Sequence, residues 1–91
     1  MQYLPSYYEN LQDQLRDVFD ELSSRLDTNE RRWILEWIDV GEYGLAMISL
    51  LEHLQRHREN APESAIRKVS EIATRIGLEE ELMRLLPPSS T

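Results

Sequence analysis

Apolar residues recur at three- and four-residue intervals along most of the chain, a spacing that places them on one side of a helix. Tyr8, Leu11, Leu15, Val18, Phe19, Leu22 and Leu26 form the first such stripe. Pro5 precedes it, and Ser6 with Glu9 reads as a capping box, in which two side chains satisfy free backbone amides at a helix start. A helix is predicted over about 6–25. Asp27, Thr28 and Glu30 give a second start signal ahead of Trp33, Ile34, Leu35, Trp37 and Ile38. These five cover more than half the circumference of a helix over about 28–40, which is expected to be the most buried one. Its polar strip is Asn29, Arg32, Glu36 and Asp39, and Gly41 can take the left-handed conformation that ends it.

Tyr43, Ala46, Met47, Leu50, Leu51 and Leu54 form the inner face of a third helix, about 42–57, with Glu42 adding negative charge at its amide end. Gly44 weakens that helix unless another backbone approaches it, so it reads as a packing notch. After a short link at 58–61, Pro62 suits the first turn of a fourth helix because its missing amide would be unpaired there. Ala65, Ile66, Val69, Ile72, Ala73 and Ile76 make that helix a narrow stripe over about 62–76, closed by Gly77. Leu82, Leu85 and Leu86 mark a short helix over about 78–86, and residues 87–91 read as a tail after Pro87 and Pro88 stop it. No segment alternates with period two. The expected fold is all-α, a compact bundle of four helices plus a short C-terminal helix in one domain spanning 1–91.

Composition narrows the function. A chain of 91 residues builds one modest core, with little left over for a deep cleft, so a surface function is favoured over chemistry. The absence of cysteine excludes disulfides and thiolate nucleophiles and fits a reducing cytoplasm. Met1 to Asn10 lack the basic and then apolar order of a signal peptide, so a cytoplasmic location is expected. The formal net charge of −7 repels phosphate backbones and anionic lipid heads, which argues against nucleic acid and membrane as partners. Residues 1–42 hold ten acids against four bases, and residues 43–91 hold seven against six. The anionic half is N-terminal.

His53 and His57, four apart, could meet one metal, but a zinc-protease helix would need glutamate where Leu54 stands. The pair reads as two half-exposed histidines beside the apolar stripe. No catalytic constellation, metal site or cofactor is expected, and the chain is not read as an enzyme. Trp33 and Trp37, also four apart, suit core packing; the alternative is one ring edge exposed as an interface anchor. Six arginines follow an acid by four residues, at Glu21–Arg25, Asp27–Arg31, Glu52–Arg56, Glu63–Arg67, Glu71–Arg75 and Glu80–Arg84, the spacing of solvated pairs on helix faces. The first helix departs from this rule. Glu9, Asp13, Asp17 and Glu21 stack like charges at four-residue steps, with Asp20 beside them and only Arg16 to relieve them. Opposite the leucine stripe, they would form a solubilising face or a site for a basic partner that Glu36, Asp39 and Glu42 extend. The candidate partner-binding residues are Asp13, Asp17, Asp20, Glu36, Asp39 and Glu42.

The stretch Trp37-Ile38-Asp39-Val40-Gly41-Glu42-Tyr43-Gly44-Leu45-Ala46 resembles the helix-to-helix corner of MafI family immunity proteins, with Gly41 and Gly44 as its structural glycines. The likeness runs over residues 33–78 and ends at Ile76-Gly77-Leu78, similar to that family's closing segment. It implies a cytoplasmic protein that neutralises the C-terminal domain of a cognate polymorphic toxin. Where that toxin is a nuclease, an acidic inhibitor could imitate phosphate charge. Two other readings stand beside it: a self-associating helical interaction or regulatory module, with a homodimer open under both, and a small hydrolase using His53 and His57.

Overall fold

A computed structural model describes the backbone of residues 5–87 and the side chains of residues 10–87. The chain is all-helical: α1 (Pro5–Leu22), α2 (Thr28–Asp39), α3 (Tyr43–Arg56), α4 (Glu63–Arg75) and α5 (Glu79–Leu85), with 3-10 turns at Ser23–Arg25 and Arg58–Asn60. No strand occurs among the described residues. The expected boundaries hold to within a few residues, and the differences have local causes.

Helix α1 is described from Pro5, so the backbone of Ser6 already lies within it. The side chains of Ser6, Tyr8 and Glu9, and the tail from Pro88, lie outside the described residues. At its other end α1 stops at Leu22 rather than near residue 25. The Ser23 hydroxyl donates to the Asp20 carbonyl at 3.1 Å, a local bond that competes with the helical pattern, and the backbone tightens into the 3-10 turn. Helix α2 starts as expected from Asp27. The Glu30 amide donates to Asp27 Oδ1 at 2.8 Å, and the Asp27 amide donates to Glu30 Oε1 at 3.2 Å. Pro62 is the extended residue just before α4 rather than its first helical one.

Both long helices that end at glycine do so in the same way. Gly41 has φ +84°, its amide donates to the Ile38 carbonyl, and the next amide, from Glu42, reaches back to Trp37 at 2.8 Å. Gly77 has φ +83°, with the matching bonds to Thr74 and, from Leu78, to Ala73 at 2.8 Å. These are Schellman corners, which need a left-handed residue that only glycine adopts without steric cost. Gly44 is different. It lies in α3, and a Cβ built there would meet nothing within 4 Å, so the expected packing notch is absent.

One cluster of buried side chains joins all five helices. Helix α3 packs on α2, α4 and α5, while α2 packs mainly on α1 and α3. The most buried helix is therefore α3, which hides Ala46, Met47, Leu50, Leu51, His53 and Leu54. In α2 only Ile34 and Ile38 are fully buried, with Leu35 and Trp37 half-covered. The broad apolar arc of α2 overstated its burial because two neighbours cannot cover so wide a face. Helix α1 contributes Leu11, Leu15, Val18, Phe19 and Leu22, α4 contributes Ala65, Val69, Ile72 and Ala73, and Leu85 and Leu86 close the core from α5. Among the described residues no helix is long and apolar enough to cross a membrane.

Candidate acidic interface on the first two helices

All six candidate acids are exposed, and the structure sorts them by what stands beside them. On the edge of α1 that meets α4, Lys68 donates to Asp17 Oδ2 at 3.0 Å and to Glu21 Oε1 at 3.2 Å. The Ser64 hydroxyl donates to the other oxygen of Glu21. The Ser64 bond first, and Lys68 second, hold the Glu21 carboxyl below its ordinary value against the opposing effect of partial burial. The bonds to Asp17 and Glu21 in turn push the Lys68 ammonium up. Farther along this edge Arg75 donates to Gln14. Asp17 thus belongs to a seam between helices, which corrects its assignment as an unpaired acid.

The opposite edge of α1 meets α2. Gln12 donates its side-chain amide to the Ile38 carbonyl at 3.2 Å, and Arg16 is ion-paired with Asp39. Between these edges, at 100° per residue, Asp13 and Asp20 project from the centre of the solvent face. Neither has an ion-pair partner among the described residues. The two cations nearest to them in the pattern, Arg16 and Lys68, are already engaged.

Around α2 from the α1 edge toward α3, the same geometry orders the outer positions as Asp39, Arg32, Glu36, Asn29, Val40, Trp33 and Trp37. Glu36 is exposed and carries no ion pair among the described residues. Trp33 is 49% exposed and Val40 65%. The Trp33 ring lies 6.2 Å from that of Trp37, centroid to centroid, and the Arg32 guanidinium carbon sits 5.9 Å from the Trp33 ring centre. The two tryptophans have therefore divided their roles: Trp37 leans on the core and Trp33 faces solvent. Glu42 is not part of this strip. It lines an open groove of about 560 Å³ between the two glycine corners, with Leu11, Tyr43, Arg75, Ile76 and Leu78.

Three of the six arginines expected to pair four residues back reach elsewhere. Arg25 donates to the Asn60 carbonyl at 2.7 Å, Arg31 to the Ser23 carbonyl at 3.0 Å, and Arg56 to Glu30 Oε2 at 2.5 Å. Where a carbonyl or carboxylate of another element lies within reach, it serves as a better partner than a neighbour held in the same helix.

The histidines differ from expectation as well. His57 is exposed, but His53 is 2% exposed and packed in the core. Its Nδ1 has no hydrogen-bond partner among the described residues and lies 3.8 Å from Glu30 Oε1, while its ring sits 4.7 Å from that of His57. Burial lowers the His53 imidazolium below its ordinary value, opposed by Glu30 and reinforced by His57, Arg56 and Arg25. Among the described residues no three histidine, aspartate or glutamate side chains come together to hold a metal ion.

No family model, curated protein or solved structure matches the chain. The geometry of the Asp39–Ala46 corner follows from its helix-ending glycine alone.

Proposed function

We propose that the chain is an immunity protein that binds a basic protein partner, the toxic domain of a cognate polymorphic toxin, and inactivates it by covering its cationic working surface. The observation that supports this is the uncompensated charge of Asp13 and Asp20 on the open face of α1, beside cations already engaged with Asp39, Asp17 and Glu21. Unpaired exposed carboxylates repel one another in the free protein and gain partners in a complex with a basic surface, which favours fast, salt-sensitive association. Glu36 extends the same strip onto α2, and Trp33 supplies an aromatic anchor beside it. The likeness of the Trp37–Ala46 corner to MafI family proteins points to a toxin as that partner. A nuclease, whose substrate surface is basic, suits the charge best.

Co-expression with the toxin domain encoded beside this chain should restore growth. Charge reversal at both Asp13 and Asp20 should abolish the rescue while leaving the helical circular dichroism spectrum unchanged. Rescue that persists in the reversed variant would move the interface elsewhere, and no rescue by the unaltered chain would reject the immunity role. A self-associating module is the second reading, favoured by the exposure of Trp33, Val40, Leu45 and Met83. A concentration-dependent dimer in light scattering, lost in Trp33→Asp, would support it.

A further inference from the structure

We infer that Trp33 and Glu36 form a seat for an arginine side chain of the basic partner, with Arg32 occupying that seat in the free protein. The inference rests on the acidic interface proposed above and names the group that this part of it recognises.

Three features of α2 meet at one place. Trp33 presents nearly half of its surface to solvent while Trp37, one turn on, backs it at 6.2 Å and is itself braced against the core. An exposed indole braced in this way offers a fixed aromatic face at little entropic cost. Glu36, three residues from Trp33 and on the same side of the helix, carries an exposed carboxylate without an ion pair among the described residues. Val40 continues the apolar floor one turn beyond Glu36. A planar cation can lie on the indole and direct its N–H groups at the carboxylate. Guanidinium satisfies both demands, whereas an ammonium satisfies only the second in a fixed geometry.

Arg32 already places a guanidinium beside this ring. Its central carbon stands 5.9 Å from the ring centroid, at the outer limit of an effective cation–π contact. Because Arg32 is the neighbour of Trp33 in sequence, its backbone tether holds it at that distance. A guanidinium arriving from another protein is free to settle closer, and it then competes with Arg32. Charge complementarity therefore selects the occupant: the strip belongs to the anionic half of a chain of net charge −7, and Arg32, the cation beside the ring, stands at the outer limit of contact.

The probe is a blocked peptide, acetyl-Gly-Leu-Arg-Leu-Gly-amide, compared with its citrulline counterpart, which keeps the planar shape but replaces one terminal nitrogen with a carbonyl oxygen and carries no charge. Binding is followed at low salt through the two indole N–H resonances, with Trp37→Phe assigning the signal of Trp33. The arginine peptide should shift the Trp33 resonance and bind about three- to fivefold more tightly than the citrulline peptide. Trp33→Leu, which keeps an apolar side chain, should remove that preference. Arg32→Ala should tighten the arginine peptide by about twofold, because the resident competitor is gone. Equal binding of the two peptides, no shift, a shift confined to other residues, or weaker binding in Arg32→Ala would overturn the seat. These readouts are independent of any toxin. Growth rescue with a failed peptide test would leave the immunity role standing without the seat, and a positive peptide test without rescue would leave the seat standing without that role.

Discussion

Helices α2 and α3 are joined by only Val40, Gly41 and Glu42, yet they have opposite relations to solvent. Helix α3 hides six side chains and touches three other helices, whereas α2 hides two and turns a tryptophan, a valine and a glutamate outward. In sequence α2 is the more aromatic of the two. The difference teaches that the width of an apolar arc measures what a helix offers to its neighbours, while burial is decided by how many neighbours surround it. An arc wider than its neighbours can cover becomes surface.

The contrast is sharpest in side-chain truncation. Leu50→Ala in α3 should cost about 2–5 kcal/mol, read from the urea midpoint, because Leu50 is fully enclosed and its removal leaves a cavity. Trp33→Ala in α2 removes a larger side chain but should cost less, about 1–2 kcal/mol, since nearly half of Trp33 is already in contact with water. Comparable losses at the two positions would mean that the outer face of α2 is covered in solution.

The corner between the helices should separate two glycines that look alike in sequence. Gly41→Ala forces a Cβ into the left-handed region and should destabilise by about 1–2 kcal/mol. Gly44→Ala places a methyl in open space within a helix and should stabilise by about 0.5–1 kcal/mol. A loss at Gly44 would reinstate the close approach that the structure lacks.

Acid should probe the seam between α2 and α3, where buried His53 faces Glu30. The folded chain favours neutral imidazole, so His53 binds its proton at a lower pH folded than unfolded. The stabilisation is fully present above the ordinary histidine value of 6.5 and is lost as pH falls through it, levelling off below the folded value. This one group can contribute a slope of up to about 1.4 kcal/mol per pH unit. Denaturation midpoints measured from about pH 7.5 down to about pH 5 should fall more steeply for the unaltered chain than for His53→Leu. Parallel curves would show that Glu30 compensates the burial of His53 in full.

Several helix ends were legible in the sequence because they carry their own local signals. Asp27 with Glu30, Gly41 and Gly77 act on backbone groups a few residues away, and the structure finds all of them at work. Ser23 shows the limit of such signals, since a single hydroxyl bond ends α1 before its apolar stripe does. Properties that depend on neighbouring elements were not legible. His53 flanks the α3 stripe at a position that would be half-exposed with fewer neighbours. Asp17 and Asp39 looked unpaired because Lys68 and Arg16 reach them from other helices. For the candidate interface, the pattern identified the acidic face of α1 but not which carboxylates are already neutralised. It left Trp33 and Trp37 undivided for the same reason.

The spacing of the contacts along the chain also bears on how the molecule is assembled in time. Helices α2 and α3 close through a three-residue corner, while Lys68 and Asp17 are 51 positions apart and Arg75 and Gln14 are 61. Closing a longer loop carries a larger entropic cost, so short-range pairs have the head start. The α2–α3 hairpin is then expected to form first as a template, with α1 and α4 meeting across it late. The charged seam that neutralises Asp17 and Glu21 would be the last part of the fold to form.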